Sequence, residues 1–245
     1  MVDHPARRLC GRLLLILLAC ASWSAATDNK QAVPTLRWME SQPGCTFTQA
    51  DDGKYRYGLW SDDFGVVVAV DAQELEKARR RLEPLFAVLV TVHYRGKDSL
   101  AVKTDDISLE LVKHYHDVHI SLDPDVLLTT LQSDVDVLSK ATAREERKHP
   151  EKKAELESVL QSQQKSVEEM REFLRTQSLR PATLDSSHPE ASGWVLFSVK
   201  SKWIGDWKKQ EEFVLRIPVA NRIVEFPFAL PPSAGDFLLR RRPED

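Results

Sequence analysis

Cysteine is scarce in this chain. There are three, and Cys10 and Cys20 both fall in or beside an apolar N-terminal segment. Cys45 then stands alone in the remainder, so a disulfide framework within one chain is excluded. Between Pro43-Gly44 and Thr46-Phe47 it reads as a small apolar side chain buried near a strand start, the alternative being an exposed thiol that pairs between molecules. Motifs of familiar chemistry are missing too. No phosphate-cradling glycine loop, Gly-x-Ser-x-Gly turn or His-Glu-x-x-His occurs. Charge of one sign is lacking: the formal net charge is −3. That balance gives neither the basic face that nucleic acid requires nor a strongly acidic chain. After residue 26 no apolar run is long enough to cross a bilayer as a helix.

What is present begins with a leader. Arg7, Arg8 and Arg12 precede Leu13 to Ala21, a basic region followed by an apolar core shorter than a membrane span. Ser24-Ala25-Ala26 offers small residues for cleavage after Ala26, giving a signal peptide over 1–26. Leu17-Leu18-Ala19-Cys20 also resembles a bacterial lipobox. Cleavage would then follow residue 19 and Cys20 would carry lipid. Simple secretion, lipidation at Cys20 and an uncleaved anchor all stay open. A polar tether over 27–35 suits either a lipid-anchored domain or a frayed end.

The stretch from Asp134 to Ser178 is charged and free of glycine, with Pro150 its one proline. It predicts two helices. Asp123 before Pro124 is a start signal, because a short carboxylate accepts from free backbone N–H groups and proline at the first turn loses no hydrogen bond. Lys148-His149-Pro150 is a break. The second helix is expected from near Glu151 to about Gln177. Leu156, Leu160, Gln163, Val167, Met170 and Leu174 form one narrow stripe on it. Mixed charges on the other faces suit a solvated helical pair. A coiled coil that binds a partner is the sharper alternative.

Strands flank the helices. Residues 36–58 look irregular, with Tyr55, Tyr57 and Leu59 beginning the first clear strand. Phe64, Val66, Val68 and Val70 alternate, and Phe86, Val88, Val90, Val92 and Tyr94 do so most cleanly. Pro84 ends a short helix expected over 72–83. Ile107, Leu109 and Leu111 make another strand with Ser108 and Glu110 outward, and the phase flips near Lys113 to Asp117. Beyond a connector at 180–192, further strands are expected at 194–200, 213–219, 223–228 and 237–239. About seven or eight strands in antiparallel-like order predict two sheets packed face to face.

Phe86 to Val92, the polar turn Arg95-Gly96-Lys97, and Asp106-Ile107-Ser108-Leu109 carry a resemblance. The segment from Leu85 to Leu111 resembles immunoglobulin-like modules of bacterial secreted proteins and lipoproteins. That resemblance implies the fold and an envelope location, with no inherited active site. The expected architecture is mainly β, an immunoglobulin-like antiparallel β-sandwich with an inserted α-helical hairpin. Its two parts are 36–123 and 179–245, around an insertion at 124–178.

Candidate chemistry is confined to a few side chains. His114 and His116 point the same way in a strand, and two imidazoles so spaced share a zinc or copper ion if a third ligand arrives. Asp117 and His93 are the candidates for that role, and His119 joins the group only if the chain turns between it and His116. The alternative is surface or sheet histidines. Paired carboxylates such as Asp62 with Asp106 have nothing in the sequence to set their separation, on which glycoside chemistry depends. Trp203 and Trp207, beside Gly205, make a candidate sugar-stacking or protein-binding patch with Trp194; the alternative, which is favoured, places Trp194, and Trp203 with it, in the core. The leading expectation is an exported, non-enzymatic envelope module without a cofactor. It binds another envelope component and meets the membrane only through a lipid anchor. The alternative is an exported metal-binding protein using the histidines.

Overall fold

In a computed structural model, the described residues are 33–49, 55–70, 85–113, 115–199 and 210–230. The leader with Cys20, the helix expected over 72–83, His114, Trp203, Trp207 and the strand expected at 237–239 lie outside them. Twelve strands occur among the described residues. They are β1 (Thr35–Arg37), β2 (Cys45–Gln49), β3 (Tyr55–Trp60), β4 (Phe64–Val70), β5 (Leu85–Tyr94), β6 (Leu100–Val102), β7 (Ser108–Leu111), β8 (Asp117–Ile120), β9 (Ala182–Leu184), β10 (Glu190–Ser198), β11 (Glu211–Val219) and β12 (Arg222–Leu230). Between β8 and β9 come α1 (Pro124–Lys148) and α2 (Lys153–Gln177).

Alternation divides the side chains of each strand between two faces. Phe86, Val88, Val90 and Val92 on β5 are fully buried, as are Leu215, Ile217 and Val219 on β11 and Val224 and Phe226 on β12. All belong to one core shared by two sheets. The five-stranded sheet runs β10-β5-β4-β3-β2. In the seven-stranded sheet β1-β12-β11 continue to β6 and β9, while β7 and β8 lie along the other part of the same β11 edge. Rings close the gap between sheets: Phe86 stacks on Phe213 at 5.2 Å, and Tyr57 meets Phe228 at 6.1 Å. Each such side chain contributes about 1.5–3 kcal/mol on burial.

Several expectations need correction. The stretch read as irregular holds β1, β2 and the start of β3, and the connector after the helices holds β9 and the start of β10. Among the described strands, pairing is antiparallel except for β1, which runs parallel to β12. Ser108 and Glu110 do stand on the outer face, yet each is only 8% exposed. The surrounding side chains of the outer face shield them, which alternation along one strand does not reveal. The phase flip is the β7–β8 turn.

The helical pair begins as its sequence indicates. Asp123 accepts from the N–H of Asp125 at 2.8 Å and of Val126 at 3.4 Å, and His149 ends α1. A 3-10 turn at Pro150–Lys152 leads into α2. Only the base of the pair packs on the sheet. Leu127, Leu131 and Val135 on α1 and Val167, Met170, Phe173 and Leu174 on α2 form a second cluster with Leu85, Trp194 and Leu196. Trp194 is therefore core, 8% exposed. Beyond Val135, and before Val167, neither helix buries an apolar side chain, and Val137 and Val159 are exposed. Each 25-residue helix is roughly 38 Å long, so about half of each lacks a core.

Both legs of the insertion bond to β10. The Leu122 N–H donates to the Leu196 carbonyl at 2.8 Å, and the Leu179 N–H to the Trp194 carbonyl at 3.0 Å. They cover an edge that would otherwise offer free carbonyls. Gly193 makes this approach possible, because a Cβ there would sit 2.3 Å from the Leu179 nitrogen. Arg180 closes the base, donating to Asp125 at 2.7 Å and to the Leu174 carbonyl at 3.3 Å.

Candidate functional site

The outer face of the seven-stranded sheet carries the densest polar organisation among the described residues. Because Phe213, Leu215 and Ile217 point into the core, Glu212, Val214 and Arg216 point out. Register places Ile120, Ser108, Arg216, Glu225 and Arg37 in one row across β8, β7, β11, β12 and β1. Val118, Glu110, Val214 and Pro227 form the next row.

A ladder of charges links the rows. Arg37 donates to Glu225 at 2.8 Å, and Arg216 donates to Glu225 at 2.8 Å and to Glu110 at 2.5 Å. The other Glu110 oxygen lies 2.5 Å from Nδ1 of His116. The His116 ring, then the Arg216 guanidinium, hold the Glu110 carboxyl below the usual carboxylate range. Burial works against the Arg216 charge, but hydrogen bonds to Glu225 and Glu110 outweigh it and push its pKa up. Positive and negative groups alternate, so the ladder presents ordered dipoles rather than a net charge.

Beside the ladder lies an open trough of about 440 Å³, lined among others by Arg37, Met39, Val112, Glu212, Val214 and Pro227. Its floor is apolar and its rim charged, the arrangement of a protein-binding patch. Met39 is 48% exposed.

The β7–β8 turn rises at the other side. Tyr115 and His116 both have left-handed backbones, φ 56° and 58°. That conformation costs roughly 1–2 kcal/mol for each residue with a Cβ. The bond from His116 to Glu110 offsets part of it. Tyr115 has no such compensation and is completely exposed. Val118 and Ile120, at 49% and 54% exposure, follow it on β8.

The histidines are distributed. His116 faces Glu110, while His119 lies 3.1 Å from Asp117. His93 is on the other sheet, stacked on Trp60 at 5.1 Å and 3.3 Å from Glu190. Among the described residues no three metal-ligating side chains converge. Asp62 sits in the β3–β4 turn of one sheet and Asp106 in the turn before β7 of the other. Cys45 is half-buried against the core.

One constellation escaped the sequence reading. Ser187 donates to Asp185 at 2.6 Å and lies 2.9 Å from Nδ1 of His188. In a hydrolytic triad the carboxylate orients the imidazole from the side away from the serine. Here Asp185 accepts from Ser187 and from the backbone N–H groups of Ser187 and His188. It organises an exposed turn, and those bonds, the Ser187 hydroxyl first, lower its pKa.

Comparison with protein-family models, curated proteins and solved structures finds no match for this chain.

The functional weight therefore rests on the geometry of the outer face. Sequence reasoning named His116 there and missed Tyr115. The signal was present: a turn without glycine that places a large aromatic between two histidines.

Proposed function

We propose that this chain is the precursor of an exported, non-enzymatic binding module of the cell envelope. In this reading its two sheets form an immunoglobulin-like sandwich, and it binds another envelope protein through the outer face of the seven-stranded sheet. The observation that carries the reading is Tyr115. A fully exposed aromatic is held on a left-handed backbone, where glycine or asparagine would be less strained. Strain retained at an exposed aromatic is a mark of function, and tyrosine is enriched in binding hot spots. The exposed Val118, Ile120 and Met39 around a neutralised ladder add apolar area without unpaired charge. The basic and apolar leader supports export.

A photo-crosslinking residue at position 115 tests the reading. In envelope extract it should give one discrete protein adduct, abolished by Met39→Glu in the same chain. The same probe at Val159, on the exposed distal part of α2, should give none. Adducts at 159 and none at 115 would move the binding site to the helices and refute the assignment.

A further inference from the structure

Two glycines shape one end of the outer face of the five-stranded sheet. Register sets Trp60, Gly65, His93 and Glu190 in one row across β3, β4, β5 and β10. This row points away from the core, because the alternate residues Phe64, Val66 and Val92 are buried in it. A Cβ on Gly65 would lie 2.1 Å from Cε3 of Trp60, and one on Gly58 would lie 3.0 Å from its Nε1. Those atoms stand on opposite edges of the indole, so the ring lies down along the sheet and turns its other face outward. His93 continues the surface, its ring 5.1 Å from the indole, centroid to centroid, and tilted by 28°. Fully overlapping rings sit about 3.5–4.0 Å apart, so this stack is offset and leaves part of the indole open.

Polar groups surround this platform with bonding capacity unused. The Arg95 guanidinium carbon is 5.7 Å from the indole centroid, on a turn held by the Arg95 N–H to the Asp63 carbonyl at 2.9 Å. Among the described residues the Arg95 guanidinium, the Thr46 hydroxyl and the Trp60 Nε1–H have no hydrogen-bond partner, and the Trp60 nitrogen is not buried. Glu190 places one oxygen 3.3 Å from His93, and its side chain is 52% exposed. The helical pair packs farther along the same face, on Leu85, Trp194 and Leu196. The residues of this sheet that border segments outside the described ones are Gln49, Tyr55, Val70, Leu85 and Val199, and register puts them at the opposite end.

We propose that this end of the five-stranded sheet is a glycan-binding site, in which one neutral pyranose ring of a saccharide chain lies on the Trp60 indole. A pyranose has an apolar face of C–H groups and a rim of hydroxyls. An aromatic surface with a few polar groups at its margin matches both. Arg95 and the Trp60 nitrogen are donors only, an ionised Glu190 is an acceptor only, and Thr46 is either. Sugar hydroxyls donate and accept, so one ligand satisfies all of them. Arg95 and Glu190 carry opposite charges, which leaves no field of one sign to select a phosphate or an acidic sugar. The site lies on the sheet opposite Tyr115 and is independent of the protein-binding face.

Titration of the isotope-labelled full chain by nuclear magnetic resonance tests this. The probes are neutral oligosaccharides (a β-linked glucan, an α-linked glucan, a mannan and a chitin fragment), with a galacturonic acid oligomer as the acidic control. At least one neutral probe should move the Trp60 indole N–H resonance, which is identified by its loss in Trp60→Phe. The acidic oligomer should bind more weakly. Arg95→Ala and Glu190→Ala, both at exposed positions, should each weaken that binding roughly tenfold. Resonances of the core, unchanged in both variants, separate a lost contact from a lost fold. No binding across the neutral panel overturns the proposal. So does a shift confined to other resonances, binding that either substitution leaves unchanged, or an acidic oligomer that binds as tightly as the neutral ones. Crosslinking at position 115 is untouched by any of these results, so the protein-binding reading stands or falls separately.

Discussion

Gly193→Ala is the sharpest perturbation of this fold. The added Cβ would lie 2.3 Å from the Leu179 nitrogen, 2.5 Å from its Cα and 2.6 Å from the Ser178 carbonyl carbon. All three are backbone atoms, so no side-chain rotation relieves the contact. Either β10 or the exit from α2 must move by about an ångström, given that real Cβ contacts lie mostly beyond 3.4 Å. Movement of the exit breaks the hydrogen bond from Leu179 to Trp194 and the bridge between Ser178 and Trp194. Overpacking costs about 1–3 kcal/mol, and loss of one buried hydrogen bond about 1 kcal/mol more. For a domain of this size each kcal/mol moves Tm by about 2–4 °C. The expected loss is therefore roughly 5–15 °C by circular dichroism, with faster amide exchange at the C-terminal end of α2. A variant within about 2 °C of the parent, with α2 exchange unchanged, would refute the close crossing of backbone over Gly193.

Other consequences follow from the same geometry. Leu174→Ala, at a fully buried position in the helix–sheet cluster, should lower unfolding stability by about 2–5 kcal/mol. Val159→Ala on the solvated part of α2 should stay within about 0.5 kcal/mol in the same urea titration. Equal losses at the two sites would mean that the distal helices are covered. Glu110 is held below its ordinary pKa in the folded chain, so its contribution is present above about pH 4.3 and is lost as pH falls through the lower folded value. Glu110→Gln should flatten that acid limb in urea midpoints taken between about pH 5 and pH 3; an unchanged limb would remove Glu110 as its source. Tyr115→Gly should raise stability by up to about 1 kcal/mol through relief of the left-handed strain while lowering crosslinked or bound partner. A stability loss would show that Tyr115 supports the fold. Zinc in tenfold excess should leave Tm unchanged, because His116 and both Glu110 oxygens are engaged within the ladder. A Tm that rises with zinc and no longer does so in His114→Ala/His116→Ala would favour the metal reading.

Local pattern was enough for some of this molecule. Asp123-Pro124 marked the start of α1 and His149-Pro150 its end, because capping and proline sterics act within a few residues. The alternation at Phe86–Val92 and Phe213–Val219 identified core faces, because a strand's period is built into its backbone. Tertiary structure decided what depends on residues far apart in the chain. Nothing near Thr35–Arg37 announces a strand, since β1 exists only by pairing with β12. Glu110 read as an outward polar residue until Arg216, more than a hundred positions later, and His116 closed over its carboxylate. The exposure of Tyr115 likewise came from where the folded chain places the β7–β8 turn. Periodicity reports which face of an element is apolar; only the folded chain determines what lies against the other face, because that neighbour comes from another part of the sequence.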